Sequence, residues 1–147
     1  MKKLAVLFFI LISVAGLAAC VHAAAGTDEN GLTIQMELDK NYDDTDPFVN
    51  ERLFCVTEDL DALIAAGTLQ LDGESLILDI KNNKTDEVLW SQTWEGEVKA
   101  EPFSVSLANL KKEDEYAICL TGRNINDAAL AITFEGNGVQ ERVRPLR

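Results

Sequence analysis

From Leu32 onward, apolar residues recur every second position. Leu32, Ile34, Met36 and Leu38 alternate with Thr33, Gln35, Glu37 and Asp39, as in a strand buried on one face. Arg52–Val56 is a second short strand. Thr57 then reads as an N-cap, with Glu58 and Asp59 suited to the positive end of a helix dipole. Leu60, Leu63 and Ile64 fall at i, i+3 and i+4, and Gly67 reads as a C-terminal stop, so the spacing predicts a helix of about nine residues. Strands resume at Leu69 and Leu71. Asp72-Gly73 predicts a hairpin leading into Leu76, Leu78 and Ile80. Asn82–Asp86 is a polar turn before Val88–Trp94. Phe103, Val105 and Leu107 alternate, as do Tyr116, Ile118 and Leu120. Gly122–Asp127 is a turn, and Leu130, Ile132 and Phe134 form the last clear strand. About eight strands at this spacing predict an antiparallel sandwich.

Before this pattern lies a different one. Lys2 and Lys3 precede an unbroken apolar run, Leu4–Ala19, shorter than the ~18–20 residues of a comfortable membrane span. The run ends in Leu17-Ala18-Ala19-Cys20, which resembles the lipobox of bacterial lipoproteins at every position. The resemblance implies cleavage after residue 19, a diacylglyceryl group on Cys20 and often a further acyl chain such as palmitate. Two or more chains hold a protein stably at a bilayer without a spanning helix. Val21 stands where an Asp tends to retain such proteins at the inner membrane. The implied location is therefore the cell envelope: the outer membrane, or the outer face of the cell membrane in a host with one membrane. The organisation expected is a signal peptide over 1–19, a lipidated Cys with a flexible tether over 20–31, and one β-sandwich domain over 32–147. His22, the only histidine, lies in the tether.

Composition narrows the chemistry. The 147 residues carry 13 Lys plus Arg against 25 Asp plus Glu, a formal charge of -12, and losing Lys2 and Lys3 makes the domain more acidic still. Such a charge excludes nucleic acid as a partner, because phosphate binding needs clustered cations. It also opposes close contact with an anionic membrane surface, so the lipid is a tether and the domain stands off the bilayer. At 47% hydrophobic, the chain has enough apolar residues for a packed core. Catalysis by a His base and His-rich metal sites are disfavoured, and no P-loop, nucleophile elbow or HExxH is present.

One segment carries a second resemblance. Leu110 is followed by Tyr116, Ile118 and Leu120, which is similar to the tyrosine corner of fibronectin type III domains, although Lys112 stands where that family usually has Pro. It implies a Tyr ring packed inward with its hydroxyl on backbone groups. The fold class expected is thus all-β, an immunoglobulin-like antiparallel β-sandwich with one short helix. With Cys20 lipidated, Cys55 and Cys119 remain; an envelope location favours oxidation, and their separation resembles the intersheet disulfide of immunoglobulin domains. A Cys55–Cys119 bond is the expectation, against the alternative of two separately buried thiols.

Three further constellations remain. Trp90 and Trp94 share one face of a strand, where an exposed pair stacks sugar rings or anchors a protein, and a buried pair fills a core. Asp39, Asn41 and Asp43 open an acidic loop that resembles the start of a calcium site, but Asp44 and Asn50 stand where an EF-hand has Gly and Glu. The alternative is a solvated loop. Carboxylates alone also serve glycoside hydrolysis, although chance pairs abound in so acidic a chain. The reading that follows is a membrane-anchored extracytoplasmic lipoprotein with a non-catalytic binding or structural module and no cofactor. Its expected partners are the membrane, through the lipid, and an envelope protein or glycan. The alternatives are an inhibitor or accessory subunit of an envelope complex, and a carboxylate-dependent hydrolase.

Overall fold

A computed structural model of the chain describes residues 31–145. The segments read as signal peptide and tether up to residue 30, Cys20 among them, and residues 146–147 lie outside the described residues. Among those described, the elements in chain order are β1 (Thr33–Asp39), α1 (Pro47–Asn50), β2 (Glu51–Val56), β3 (Leu60–Asp72), β4 (Ser75–Asn82), β5 (Val88–Glu95), β6 (Val98–Leu110), β7 (Tyr116–Arg123), β8 (Asp127–Phe134) and β9 (Val139–Arg142). They form a sandwich of two antiparallel sheets, ordered β1-β8-β3-β6 and β5-β4-β7-β2-β9. Only β4 and β5 are both consecutive and paired; every other link crosses between sheets. That winding is a jelly roll within the sandwich class, and differs from the sheet order of immunoglobulin domains.

Alternation explains the core. Ile34, Met36 and Leu38 of β1 face inward, as do Leu76, Leu78 and Ile80 of β4 and Leu130, Ile132 and Phe134 of β8. Phe54 joins the sheets: its ring lies 5.4 Å from Tyr116 and 4.8 Å from Phe134. The Tyr116 hydroxyl accepts the Lys111 N–H at 2.7 Å beside the fully buried Leu110, the arrangement a tyrosine corner requires. Among the described residues the one helix is a single turn after the acidic loop, with Asp46 as its N-cap and Pro47 at its start. The polar turn at Asn82–Asp86 is present. Asn82 Oδ1 accepts the N–H groups of Lys84 and Thr85, and Asp86 takes a positive φ.

Two expectations are corrected. The segment read as a helix from Thr57 to Gly67 is a bend at Thr57–Asp59 followed by the first part of β3. Leu63, Ala65, Leu69 and Leu71 point into the core, while Ile64 lies on the outer face, 41% exposed. The i, i+3, i+4 spacing of Leu60, Leu63 and Ile64 is coincidental, because this stretch ladders with β6, and from Ala65 onward β3 pairs with β8 as well. Such pairing overrides local propensity. Small inward residues, Ala65 and Gly67, had masked the period of two.

Asp72-Gly73 likewise makes no hairpin. Asp72 belongs to the four-stranded sheet and Ser75 to the other, so the link crosses the sandwich. Gly73 lacks the positive φ that a type I′ turn demands. Its role is close approach, since a Cβ there would meet Ile125 Cδ1 at 2.9 Å and Asn124 O at 3.0 Å.

Candidate functional site

The residues singled out in the sequence do not converge. Trp94 is buried and Trp90 half-buried, both on the inner side of β5. They pack on one ring: Trp90 lies parallel to Phe103 at 6.0 Å, and Trp94 meets it edge-on at 5.2 Å. The exposed stacking platform is therefore corrected to an aromatic plug closing the sandwich between β5 and β6. The inward parity of β5, set by its register with β4, puts them there.

The expected Cys55–Cys119 bond is absent; both thiols are free. Cys119 pairs with Glu51, and Phe54 with Tyr116, so Cys55 falls opposite Glu115, four positions from Cys119. Four residues span about 13 Å at 3.3 Å each, well beyond the ~7 Å Cα separation a disulfide tolerates. Cys55 instead accepts a hydrogen bond from Arg142 Nε at 3.2 Å. Burial, then the Glu51 carboxylate, push the Cys119 thiol up to about 12.

Nor do Asp39, Asn41 and Asp43 gather around a cation. Asp39 accepts the Asn41 N–H at 2.8 Å, Asp43 accepts the Thr45 N–H at 2.8 Å and its hydroxyl at 2.7 Å, and Asp46 caps α1. Each carboxylate thus caps its own stretch of loop. The Tyr42 hydroxyl donates to Asp44 and accepts the Gly122 N–H at 2.7 Å, pinning the loop to the end of β7. Burial and Asp44 push that hydroxyl up to about 12. Among the described residues, no group of three or more acidic, Cys or His side chains is arranged to hold a metal.

What the fold does assemble is a face that no sequence motif announced. The outward residues of the four-stranded sheet fall in register rows across β1, β8, β3 and β6: Thr33, Thr133, Ala66 and Ser104, then Gln35, Ala131, Thr68 and Pro102, then Glu37, Ala129 and Gln70. The central strands carry Ala and Thr, with Gln70 in the last row, while the longer Gln35 and Glu37 stand on β1. On the other flank β6 kinks at Ala100, whose φ is 46°. Small residues beside the taller β1 flank and the β6 kink leave a trough. It contains a depression of about 240 Å³ lined by Gln35, Glu37, Thr68, Gln70, Ala129 and Ala131. This continues past Gln70 and Ala100 into one of about 460 Å³ lined by Asp72, Asp127, Glu97 and Lys99. Thr33 and Thr133 hydroxyls bond each other at 2.8 Å across two strands.

In a chain of charge -12, these rows hold amides, hydroxyls and methyls with one carboxylate, Glu37. Charge returns at one end, where Asp39, Asp127 and Asp72 stand side by side on β1, β8 and β3. All three are exposed. The trough offers donors and acceptors to a neutral, hydroxyl-rich partner, and its acidic end repels polyanions. No sequence motif singled out Gln35, Thr68, Gln70 or Thr133. The available signal was the run of Thr, Gln, Ala and Ser at outward positions of four strands, in a chain that elsewhere uses Asp and Glu.

Residues 22–146 match the family described as a domain of unknown function, DUF4624. The chain belongs to that family. No curated protein matches it. Among solved structures it is similar to a family 35 carbohydrate binding module from an environmental isolate (13% identity, 79% of this chain and 74% of that one, TM-score 0.41). CsCBM6-3 from Clostridium stercorarium, solved with cellobiose, shows 5% identity over 76% of this chain and 91% of that one, with a TM-score of 0.42. The Yersinia pseudotuberculosis-derived mitogen shows 6% identity over 78% and 97%, with a TM-score of 0.42. These are likenesses of β-sandwich fold and carry nothing about ligand.

Proposed function

We propose that this DUF4624 protein is an extracytoplasmic lipoprotein, held to the envelope through Cys20, whose sandwich is a non-catalytic module binding a neutral polysaccharide. The observation that carries the binding reading is the trough: an amide- and hydroxyl-lined depression on the outer face of one sheet of an acidic domain. A neutral glycan matches its hydrogen-bonding groups and brings no charge against the domain. The anchor rests on the Leu17-Ala18-Ala19-Cys20 lipobox and keeps the module at the envelope surface without a spanning helix.

Affinity electrophoresis through gels containing neutral polysaccharides tests the binding. Retardation is expected for the wild type, and its loss in Ala131→Arg, which fills the trough between Gln35 and Thr68. Equal retardation of both, or none on any neutral polysaccharide, overturns the reading. The anchor is tested separately: Cys20→Ser loses metabolic palmitate labelling and membrane partition if the lipobox is used.

A further inference from the structure

Among the described residues the trough-bearing sheet ends at β1, and that edge differs from the other strand edges. On the opposite side, β6 carries Pro102 and left-handed residues at Ala100 and Asn109. In the second sheet, β5 lies alongside β6, and β9 has only four residues before Pro145 follows. Proline, kinks and brevity are ordinary protections against strand pairing. β1 has seven residues and none of these devices. Its ladder phase is known, because the Phe134 N–H bonds Leu32 O. Leu32, Ile34, Met36 and Leu38 therefore direct their backbone groups to β8, and Thr33, Gln35 and Glu37 direct theirs away from the sheet. Thr33, Gln35 and Glu37 also place their side chains on the outer face, while Ile34, Met36 and Leu38 are buried.

We propose that β1 pairs with β1 of a second copy of this chain, antiparallel and centred on Met36, joining two four-stranded sheets into one of eight. The charge pattern selects partner and register. Centred on Met36, Gln35 falls opposite Glu37 and Thr33 opposite Asp39, whose carbonyl also accepts the Tyr42 N–H at 3.1 Å, so each carboxylate meets an amide or a hydroxyl. Centred on Glu37, two carboxylates face each other; centred on Gln35, Asp39 passes beyond the strand. The interface is isologous and closes as a twofold dimer. At about 4.8 Å between strands, the outer face widens from roughly 14 to roughly 34 Å, with a trough on either side of the axis. The contact is a short edge between two acidic bodies, so pairing is weak in dilute solution and strengthens when salt screens their repulsion. The inference rests on strand geometry and stands whether or not the trough binds a glycan.

Sedimentation velocity of the full chain in density-matched detergent tests it with no ligand present. A monomer–dimer equilibrium that shifts toward dimer with concentration and salt is expected. Gln35→Glu places carboxylates opposite each other twice per dimer and weakens association by roughly 2- to 30-fold. Adding Glu37→Gln restores it, because the exchanged residues again face amide to carboxylate. Gln35→Pro removes an outward N–H without touching the β8 ladder and leaves a folded monomer. A wild type that stays monomeric, association unchanged by Gln35→Glu and Gln35→Pro (as when the apolar leader causes it), or failure of Glu37→Gln to restore pairing each overturns the proposal.

Discussion

Replacing Gly67 by alanine tests both the strand assignment and the aromatic plug. Gly67 lies in β3 where the Phe103 ring crosses it. An added Cβ would fall 2.3 Å from Phe103 Cζ, 2.7 Å from Cε1 and 2.8 Å from Ala131 O. All three are closer than real Cβ contacts. The ring cannot simply swing away, because Trp90 stacks on it at 6.0 Å and Trp94 abuts it at 5.2 Å. The third contact is backbone of the neighbouring strand, which moves only with the sheet. Overpacking of a filled core costs about 1–3 kcal/mol, and with the ring held and the backbone involved we expect about 2–3 kcal/mol. In urea unfolding followed by tryptophan fluorescence, the midpoint should fall while the m-value stays unchanged. In a Phe103→Leu background the ring clash is gone and only Ala131 O remains, so the same substitution should cost at least about 1 kcal/mol less, a coupling typical of residues in contact. A Gly67→Ala cost below about 0.5 kcal/mol, or one equal in the two backgrounds, refutes the packing argument. A glycine merely ending a helix would show no coupling to Phe103.

Two further outcomes are expected. Tyr116→Phe removes the acceptor of the Lys111 N–H, so stability should drop by about 1 kcal/mol with the ring still buried, read by thermal unfolding; no change would mean the corner bond contributes nothing. Cys119, with its thiol raised from 9.0 to about 12 by burial and then Glu51, should react with a maleimide at pH 9 roughly a thousandfold more slowly than in the urea-unfolded chain. The sign for stability follows: the folded state holds this proton more tightly, so its contribution is complete below pH 9 and is lost as pH rises through 12. Equal labelling rates in folded and unfolded chains would remove the basis of both statements.

Much of the architecture was legible because alternation is a local property. The inward sets of β1, β4, β7 and β8, the Asn82 turn and the Leu110–Tyr116 corner each depend on residues close together in the chain. A period of two also predicts which face is apolar without knowing what covers it. Alternation failed where inward residues were too small to register, at Ala65 and Gly67 of β3, and there a chance helical spacing prevailed.

Partners and register are a different matter, since they are set between strands far apart in sequence. Whether Asp72-Gly73 turns back or crosses to the other sheet depends on what β3 and β4 pair with. Whether Cys55 meets Cys119 depends on a four-residue offset between β2 and β7. Trp90 and Trp94 face inward because of their register with β4 and because Phe103 arrives from β6 to receive them. The trough depends on register most of all. Its small and amide-bearing residues come from four strands, each unremarkable alone, and only antiparallel pairing lines them up. By itself the chain determined a largely stranded body and the buried faces of β1, β4, β7 and β8. The tertiary structure alone decided which outward faces became one surface, because side-chain parity is written along each strand whereas adjacency exists only once strands have chosen neighbours.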